Sequence, residues 1–502
     1  MKIVQTTIKS LQTTMRIRNK EINFKNIIPY IMILLFTSLL SCMSCSRLKN
    51  VGLFWDAAVY LNVSRNILRG KILYKEIVDN KGPILYIINA IGLKIGGQNG
   101  VVIIEFLFIF VALLFMYKSS KLICKSKSKS ILTTLIAVTY FARFFTFGLT
   151  CEQYGLTFSM IALYMCLQYY NDNSFSKKQC FMLGILCGLT FFIRPNLIIV
   201  FVAFAIGIGL ELIIEKKIKE LIKYIIFSLC GFLCICTPIF MYFIKNNCLN
   251  DFINNVFLMN LTMNKLGVSS SIKEILHAMP ITFILIIVYL CISVYKLIIQ
   301  KNKKYLSIIF LVIITIWFNC ISKEIYEHYL IMFIPLLLLM FSELIGKKNN
   351  GISKVFLLVI YYVALCIVIA NIIVAINYIN IPQHNKIIIE YIKDNSNEND
   401  KIAVLGFSDE LYYLSNRESV SKYTYILSND AFSRRNQINI LNEYFGDIIE
   451  KKPVIIIENL NTMTNGVCKY ISLEEYEQLK DEYYICDEDL LTFRIYKKVI
   501  KY

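Results

Sequence analysis

The sequence predicts an α-helical protein that crosses a membrane about eleven times and ends in a small α/β domain. Of its 502 residues, 57% are hydrophobic, and the mean hydropathy of +0.58 is well above that of a water-soluble protein. The apolar residues are grouped into long runs, many of them near the roughly 20 residues that a spanning helix needs. After residue 381 these runs give way to short apolar segments in a polar background, which is typical of a soluble domain.

The predicted spans are continuous apolar runs separated by polar or basic loops. They cover residues 27–43, 99–117, 131–149, 153–170, 180–193, 196–214, 222–244, 279–298, 305–320, 329–345 and 354–377. The segment 84–97 is too short and too rich in glycine to cross the bilayer, so we expect it to lie on the interface or dip into it. Residues 56–69 have apolar side chains at helical spacing and predict an interfacial helix in the headgroup plane.

These features divide the chain into three parts. Residues 1–26 form an N-terminal segment, residues 27–378 form a transmembrane domain whose first outer loop covers 44–98, and residues 379–502 form a soluble α/β domain. In that last domain, β-branched and aromatic residues predict strands that are separated by polar helices and turns. The expected strands are 401–406, 421–427, 452–459 and 490–497.

Basic residues predict the orientation of the chain, whose formal net charge is +18 at pH 7. The basic clusters lie between apolar runs, as expected for cytoplasmic loops, so we expect no nucleic-acid partner. Six such segments fall on one side: 2–25, 118–129, 177–178, 216–223, 296–304 and 347–354. The sequence thus predicts a multi-pass protein of the plasma (inner) membrane with a cytoplasmic N-terminus and an extracytoplasmic C-terminal domain. The outer loop 44–98 is also basic, which would suit a surface that holds a lipid phosphate.

The cysteine and acidic residues give no metal signature. Most of the sixteen cysteines lie in or beside apolar runs, where cysteine acts as a small hydrophobic residue. No Cys/His spacing typical of zinc occurs, and the first outer loop has no acidic pair as close as D-x-D. We therefore predict no cofactor and no metal ligands, although a divalent ion between outer acidic residues stays open.

Charged residues gather at the predicted outer boundary of the membrane. Five places stand out: Asp56, the segment 76–81, Glu152, Arg194 and the segment 324–329. They come from distant parts of the chain, yet the topology drawn from the basic loops puts all of them on the same side. This convergence predicts a chemical site at the outer interface, with Asp56 and Lys81 at its centre.

The first outer loop carries the most specific pattern in the chain. Its segment WDAAVYLNVSRNILRGKILYKEIVDNKGPILY contains D-x-x-x-Y, then G-x-x-x-Y, then D-x-K-x-P. These motifs resemble the GT-C superfamily of polyprenyl-phosphate-sugar-dependent glycosyltransferases, in the branch of protein O-mannosyltransferases and lipid A aminoarabinose transferases (glycosyltransferase family 39/83-like). Weaker matches are CEQYGLTFSMIALY (151–164), GLTFFIRPN (188–196) and YEHYLIMFIP (326–335). One departure is KGP at 81–83, where the branch more usually has a lysine followed by two prolines.

This resemblance implies a GT-C transmembrane fold in which 44–98 is the catalytic loop. It also implies a membrane transferase that moves a hexosyl or pentosyl group. The donor would be an undecaprenyl-phosphate or dolichyl-phosphate sugar, and the acceptor a cell-surface glycan, a lipid or a protein. Membrane lipids would surround both substrates.

The resemblance and the boundary position suggest roles for nine side chains. Asp56 would be the base or would orient the acceptor, and Glu152 would be the second acidic residue of the site. The donor phosphate, whose charge grows as it leaves, would be held by the cationic side chains Lys81, Arg194 and His328. Candidate substrate-binding residues are Tyr60, Tyr74, Asp79 and Tyr329.

Each kind of candidate also has a structural interpretation. Asp56 could cap the helix that follows it. Lys81 and Arg194 could be interfacial anchors, and the tyrosines could form an aromatic belt. Glu152 could be a solvated loop residue, whereas Glu105 lies within the second predicted span and needs a partner that the sequence does not reveal.

Three other functions compete with sugar transfer. A transporter or lipid-linked sugar flippase would line a path with charges inside the spans. A polysaccharide polymerase or ligase would place its large functional loop later in the chain. A membrane scaffold would only present the C-terminal domain. Charges concentrated at one boundary and the early D-x-K-x-P motif favour the glycosyltransferase.

Overall fold

The computed structural model of the protein describes the chain in segments. They are residues 16–17, 20–21, 24–45, 55–145, 148–262, 268–320, 326–346, 383–425, 434–460, 474–490 and 493–499. Near the N-terminus, β1 (Arg16–Ile17) pairs antiparallel with β2 (Lys20–Glu21). Ten of the eleven predicted spans coincide with described helices, and the eleventh, 354–377, lies outside the described residues.

The helices up to residue 346 follow the apolar runs of the sequence. The first group contains α1 (Phe24–Cys42), α2 (Trp55–Leu68), α3 (Pro83–Cys124), α4 (Lys127–Phe144), α5 (Cys151–Asp172), α6 (Lys177–Phe191) and α7 (Ile199–Ile214). The second group contains α8 (Ile218–Lys245), α9 (Leu249–Ile253), α10 (Met259–Thr262), α11 (Val268–Ala278), α12 (Pro280–Ile298), α13 (Lys304–Cys320) and α14 (Ile334–Gly346). A π-helical turn at Asn254–Leu258 joins α9 to α10, and 3₁₀ turns at Pro195–Leu197 and Glu327–Phe333 precede α7 and α14.

Several of these helices have the length and surface of membrane spans. Within the described residues, four are long and apolar enough to cross a membrane: Pro83–Cys124, Ile218–Lys245, Pro280–Ile298 and Glu327–Gly346. Helices α8 and α12 leave large apolar side chains exposed, among them Ile225, Leu229 and Ile281. Such a surface is unfavourable in water and favourable against lipid, so the chain is a membrane protein.

Helix α3 contains a sharp turn at the end of the segment predicted not to cross the bilayer. Gly96 and Gly97 leave helical geometry, and Gly97 has a φ of +57° that favours glycine. In a continuous helix, Gly92 and Gly100 would lie about 12 Å apart. Here a Cβ atom on Gly100 would overlap the Gly92 carbonyl oxygen. The chain therefore turns back on itself between these glycines, and the 84–97 segment is a separate helical arm.

The C-terminal domain is a mixed sheet flanked by helices, as predicted in outline. Its described elements are α15 (Gln383–Asp394), β3 (Lys401–Leu405), α16 (Asp409–Ser415), β4 (Glu418–Ser419), α17 (Arg434–Lys451), β5 (Ile455–Asn459), α18 (Glu474–Tyr483), β6 (Tyr484–Leu490) and β7 (Phe493–Lys498). The strand order is β4-β3-β5-β7-β6, in which β3 is parallel to β4 and β5, and β7 is antiparallel to β5 and β6. Side chains of β3 alternate between the two faces: Ala403 and Leu405 pack with residues of α17, and Ile402 and Val404 with residues of α15.

One strand prediction needs correction, and strand β6 was not predicted. The predicted strand 421–427 is irregular in its described part, because side-chain hydroxyls bind the backbone N–H groups that a strand ladder would use. Ser419 Oγ accepts from the Ser421 N–H at 3.2 Å, and Ser421 Oγ accepts from the Tyr423 N–H at 3.3 Å. Strand β6 covers residues 484–490. Its run C-D-E-D lacks the β-branched and aromatic residues that predict a strand.

Helix α2 is formed as its apolar spacing predicts, and protein covers it on both sides. Every residue from Ala57 to Ser64 is buried, because α2 packs between α3 and α16 of the C-terminal domain. On the side of α2 that meets α16, Asn62 Nδ2 donates to Asp409 Oδ1 at 2.9 Å. The spacing therefore identified the apolar face of the helix correctly but could not show that another domain covers its polar face.

Candidate active site

The loop between α2 and α3 is held in one shape by buried contacts. Tyr74 has a φ of +67°, and its backbone N–H donates to the Ile77 carbonyl oxygen at 2.7 Å. Its ring packs against the stacked rings of Phe243 and Phe252, with centroids 5.3 and 5.6 Å away. Its hydroxyl donates to the Lys81 carbonyl oxygen at 2.6 Å. These contacts favour a positioning role for Tyr74 over the predicted contact with substrate.

Gly82 brings the loop into backbone contact with the end of α6. Its N–H donates to the Ile193 carbonyl oxygen at 2.9 Å, and the Ile84 N–H donates to the Phe192 carbonyl oxygen at 3.1 Å. A Cβ atom at position 82 would overlap that same Phe192 carbonyl group. Proline would add this overlap and remove the N–H bond. The departure from the lysine-proline-proline pattern therefore follows from a close approach that only glycine permits.

We expect Gly82→Ala to lower the free energy of unfolding by about 1–3 kcal/mol, because a backbone overlap cannot be relieved by a side-chain rotation. The measurement is chemical unfolding of the purified protein in detergent. Gly96→Ala is the matched control, since a Cβ atom there would meet nothing within 4 Å. Equal stability of the two variants would contradict the close approach.

Asp79 is a buried carboxylate with hydrogen-bond donors on both oxygens. The Tyr86 hydroxyl donates to Oδ2 at 2.5 Å. The Tyr425 hydroxyl and the Asn80 backbone N–H each donate to Oδ1 at 2.7 Å. Only 3% of Asp79 is exposed. Its oxygens are therefore engaged within the protein, which favours a positioning role over the predicted substrate contact.

Lys81 lies beside this carboxylate and next to Asp56. Its Nζ donates to Asn80 Oδ1 at 2.5 Å. Burial lowers the pKa of Lys81, but the negative charges of Asp79 and Asp56 outweigh it, and the pKa lies above its ordinary value. Lys81 is therefore a positive charge at neutral pH, and this charge can hold a phosphate.

Asp56 lies in the first turn of α2, where the helix dipole favours a negative charge. Tyr60, one turn further along, donates its hydroxyl to Asp56 Oδ2 at 3.2 Å and accepts from Cys151 Sγ at 3.5 Å. Burial and then the charge of Asp56 raise the pKa of Tyr60, so its hydroxyl remains a donor. Asp56 itself is partly exposed and can meet a ligand.

Glu152 and Arg194 form a buried ion pair. Arg194 Nη1 lies 2.5 Å from Glu152 Oε1, and the glutamate side chain is 3% exposed. The guanidinium lies 4.4 Å from the ring centroid of Tyr329, and His328 Nε2 lies 4.0 Å from Glu152 Oε2. The two residues predicted to hold phosphate, Arg194 and His328, thus both face the second acidic residue of the site.

Glu105 fixes the start of the helix that carries Glu152. Its Oε1 accepts from the Leu149 backbone N–H and from Gln153 Nε2, each at 3.1 Å. Gly148, with a φ of +78°, lies so close that a Cβ atom there would overlap this oxygen. The acidic residue inside the second predicted span is therefore a structural brace with partners from α5 and the turn before it.

A small pocket opens beside the ion pair. Its lining mixes the polar residues Glu152, Asn196, Asn319 and Tyr329 with apolar residues that include Leu197 and Phe318. Among the described residues, the buried Asn196 Oδ1 has no hydrogen-bond partner. The free space in this pocket is about that of a single water molecule.

All nine residues singled out in the sequence lie in described parts of the chain. One group, the Lys81 cluster, contains Asp56, Tyr60, Asp79 and Lys81. The second group, the Glu152 cluster, contains Glu152, Arg194, His328 and Tyr329. The two groups meet, because Cys151, adjacent to Glu152, bonds to Tyr60, and the charge of Arg194 acts on Lys81. Tyr74 lies beside the Lys81 cluster and supports it.

Two contributors from distant segments were not predicted. Tyr425 of the C-terminal domain bonds to Asp79, and Asn260 of α10 donates to the Asn80 carbonyl oxygen at 2.9 Å. Neither belongs to a local pattern, so only the folded chain reveals them. Within the described segments, no three His, Cys, Asp or Glu side chains come together as metal ligands. The absence of a metal requirement stays a prediction.

The fold and the site define a class: a multi-spanning membrane protein in which a charged loop site lies next to a C-terminal α/β domain. Residues 18–376 match the family described as "Putative competence-induced protein Ccs4 N-terminal domain". This match covers more than half of the chain, which therefore belongs to that family. Among curated proteins, no sequence matches the chain.

Solved structures of glycosyltransferases share this fold. ArnT from Cupriavidus metallidurans bound to undecaprenyl phosphate is 11% identical, with a TM-score of 0.63 and coverage of 94% of this chain and 98% of that chain. ArnT from the same organism in the apo state is 12% identical, with the same TM-score and coverage. The Archaeoglobus fulgidus oligosaccharyltransferase in complex with Zn and sulfate is 11% identical, with a TM-score of 0.53 and coverage of 91% and 71%. At these identities the likeness shows the fold, and it confirms the predicted GT-C fold.

Proposed function

We propose that this chain is a membrane glycosyltransferase that moves a sugar from a polyprenyl-phosphate donor to an extracytoplasmic glycan, lipid or protein. One observation carries the proposal: Lys81 and the partly exposed carboxylate of Asp56 lie in one site, close enough for the carboxylate to favour the charged form of the lysine. Sugar transfer from a lipid phosphate needs a cation for the departing phosphate and a carboxylate for the acceptor hydroxyl. The ArnT structure with undecaprenyl phosphate, which has the same fold, supports this class of donor.

In the proposed reaction, the acceptor hydroxyl oxygen forms a bond to the anomeric carbon of the donor sugar. The bond from that carbon to the phosphate oxygen breaks, and its electron pair leaves with the lipid phosphate. Asp56 takes the proton of the acceptor hydroxyl, while the Tyr60 hydroxyl at 3.2 Å holds the carboxylate in place. Lys81 balances the negative charge that grows on the phosphate.

The Glu152 cluster lies next to this centre and has a supporting role. Arg194 has five N–H donors, and its bond to Glu152 leaves others for an oxygen of the phosphate. Glu152 would orient the acceptor or the sugar through its second oxygen, which His328 faces at 4.0 Å. Tyr329, stacked on Arg194, would form one side of the substrate site.

The structure offers less support for a transporter or flippase. Charges that line a transport path would be aimed into an open passage between the spans. Glu105, buried within α3, instead bonds to the backbone of Leu149 and to Gln153. The charges of both clusters lie at helix ends and in loops, where a reaction at an interface needs them.

The test measures transfer from a radiolabelled polyprenyl-phosphate sugar pool to membrane glycans. We expect Lys81→Ala to raise the KM for the donor by about tenfold or more, because a charge-assisted bond to phosphate is lost. Lys75→Ala is the matched control, since Lys75 lies in the same loop but is exposed and bonds to the Asn246 carbonyl oxygen. Wild-type protein with no transfer from any such donor, or equal activity of both variants, would refute the mechanism.

A further inference from the structure

The C-terminal domain contacts the Lys81 cluster directly. We propose that this domain is part of the lipid-phosphate site and that Tyr425 is a positioning residue, which acts on Lys81 through Asp79. The identity of the ligand rests on the proposed function. The positioning itself rests only on contacts within the chain and can be tested without a ligand.

The first set of contacts fixes the domain on α2. Arg65 donates to the carbonyl oxygens of Tyr412, Tyr413 and Arg417 at 3.2, 2.9 and 3.0 Å. The Tyr412 and Tyr413 carbonyl groups lie in the last turn of α16, where the helix dipole favours a cation, and Arg417 follows two residues after the helix ends. Five protein oxygens around one guanidinium, including Asn62 Oδ1 at 2.9 Å and Asn416 Oδ1 at 3.3 Å, set the position of the domain closely.

Ion pairs extend this contact beyond the end of α2. Glu418 of β4 receives Arg69 Nη1 at 3.2 Å and Lys71 Nζ at 2.7 Å. At the turn of α3, the Tyr413 hydroxyl donates to Gln98 Oε1 at 2.8 Å. The domain is therefore attached on two sides of the loop that carries Lys81.

The second set of contacts reaches into the loop itself. The Val78 backbone N–H donates to the Lys422 carbonyl oxygen at 3.0 Å, and the Tyr425 hydroxyl donates to Asp79 Oδ1 at 2.7 Å. Burial, followed by the charge of Asp79, raises the pKa of Tyr425, so the hydroxyl is protonated across the physiological range. Two adjacent loop residues, Val78 and Asp79, are thus hydrogen-bonded to the same short segment of the C-terminal domain.

The path from Tyr425 to Lys81 is short. Asp79 is the first of the two carboxylates that raise the pKa of Lys81, so its orientation decides how well the ammonium is balanced. Asp79 Oδ1 also accepts the Asn80 N–H, and Asn80 Oδ1 in turn accepts from Lys81 Nζ. Without the Tyr425 hydroxyl, Oδ1 loses a side-chain donor and the carboxylate can rotate away. Lys81 would then keep its charge but lose its fixed place.

The first experiment needs no ligand. Amide hydrogen exchange is compared between wild type, Tyr425→Phe and Tyr423→Phe in the full-length protein in lipid nanodiscs. Tyr423 is the matched control, because its hydroxyl bonds to Glu443 within the C-terminal domain at 3.2 Å. We expect faster exchange at residues 78–82 in Tyr425→Phe only, with residues 401–405 unchanged. Unchanged exchange at 78–82 would overturn the positioning role.

The second experiment measures binding of undecaprenyl phosphate to the same nanodiscs, together with Lys81→Ala and the Lys81→Ala/Tyr425→Phe double variant. We expect Tyr425→Phe to weaken binding about fivefold to tenfold and to raise the donor KM by a similar factor, with kcat nearly unchanged. In the Lys81→Ala background, Tyr425→Phe should have no further effect, because it acts through Lys81. An equal effect in both backgrounds would show that Tyr425 acts elsewhere and would overturn the proposal.

The two experiments separate the two ideas. Faster exchange at 78–82 in Tyr425→Phe, together with a wild-type protein that binds no undecaprenyl phosphate, would refute the proposed donor and leave the positioning role standing. Donor binding by the wild-type protein, together with unchanged exchange in Tyr425→Phe, would support the proposed donor and refute the positioning role.

Discussion

Asp56→Asn is expected to lower the rate of sugar transfer by about 10²-fold to 10⁴-fold, which is the usual contribution of a general base. Asparagine has nearly the same shape and suits the start of a helix, so α2 should keep its position. The amide can still accept the Tyr60 hydroxyl bond but cannot take a proton from the acceptor. Binding of undecaprenyl phosphate should therefore change by less than about threefold, because the loss falls on the chemical step.

The measurement is kcat for transfer at matched protein amounts, with donor binding determined on the same preparations. Asp172→Asn, at the exposed end of α5, is the control for removal of one negative charge. Full activity of Asp56→Asn would mean that Asp56 only stabilises the start of helix α2. A loss of donor binding equal to the loss of rate would assign Asp56 to binding instead of catalysis.

Arg194→Gln is expected to lower the free energy of unfolding by about 3–5 kcal/mol, because it leaves Glu152 charged and buried without its cation. The carboxylate is 3% exposed, so water can replace only a small part of what the guanidinium provides. Chemical unfolding in detergent measures the effect. Lys217→Gln removes one cation from Glu215, which keeps its bond to Lys303, and because Lys217 is exposed we expect a much smaller loss of stability.

The double variant Arg194→Gln/Glu152→Gln separates charge from packing. With both charges removed, the two amides can hydrogen-bond to each other, and most of the lost stability should return. Stability losses that simply add would show that the two side chains act independently. Sugar transfer should stay low in the double variant, since both groups belong to the proposed site.

The parts of the site that lie close together in sequence could be predicted. The D-x-x-x-Y and D-x-K-x-P motifs place Asp56 one helical turn from Tyr60, and Asp79 two residues from Lys81, in the arrangement that the structure has. The apolar runs likewise predict ten described helices, because the length needed to cross a bilayer is fixed. Both predictions depend on short-range geometry that the sequence carries directly.

Contacts between distant segments could not be predicted. Tyr425 and Asp409 carry no motif, yet they cover the polar side of the loop between α2 and α3 and of α2 itself. The same limit explains why the burial of the polar face of α2 was not predicted. A polar helix face is equally consistent with water, with lipid headgroups and with a domain encoded hundreds of residues later.

That distance along the chain has a consequence for how the protein is made. The bond from Tyr425 to Asp79 joins residues 346 positions apart, and the one from Asn62 to Asp409 joins residues 347 apart. At a synthesis rate of 5–20 residues per second, the loop waits about 17 to 70 s after its own translation before its last partners leave the ribosome. During biogenesis, therefore, the nascent chain is inserted with its Lys81 loop incomplete, and a truncated translation product would reach the membrane without a competent site.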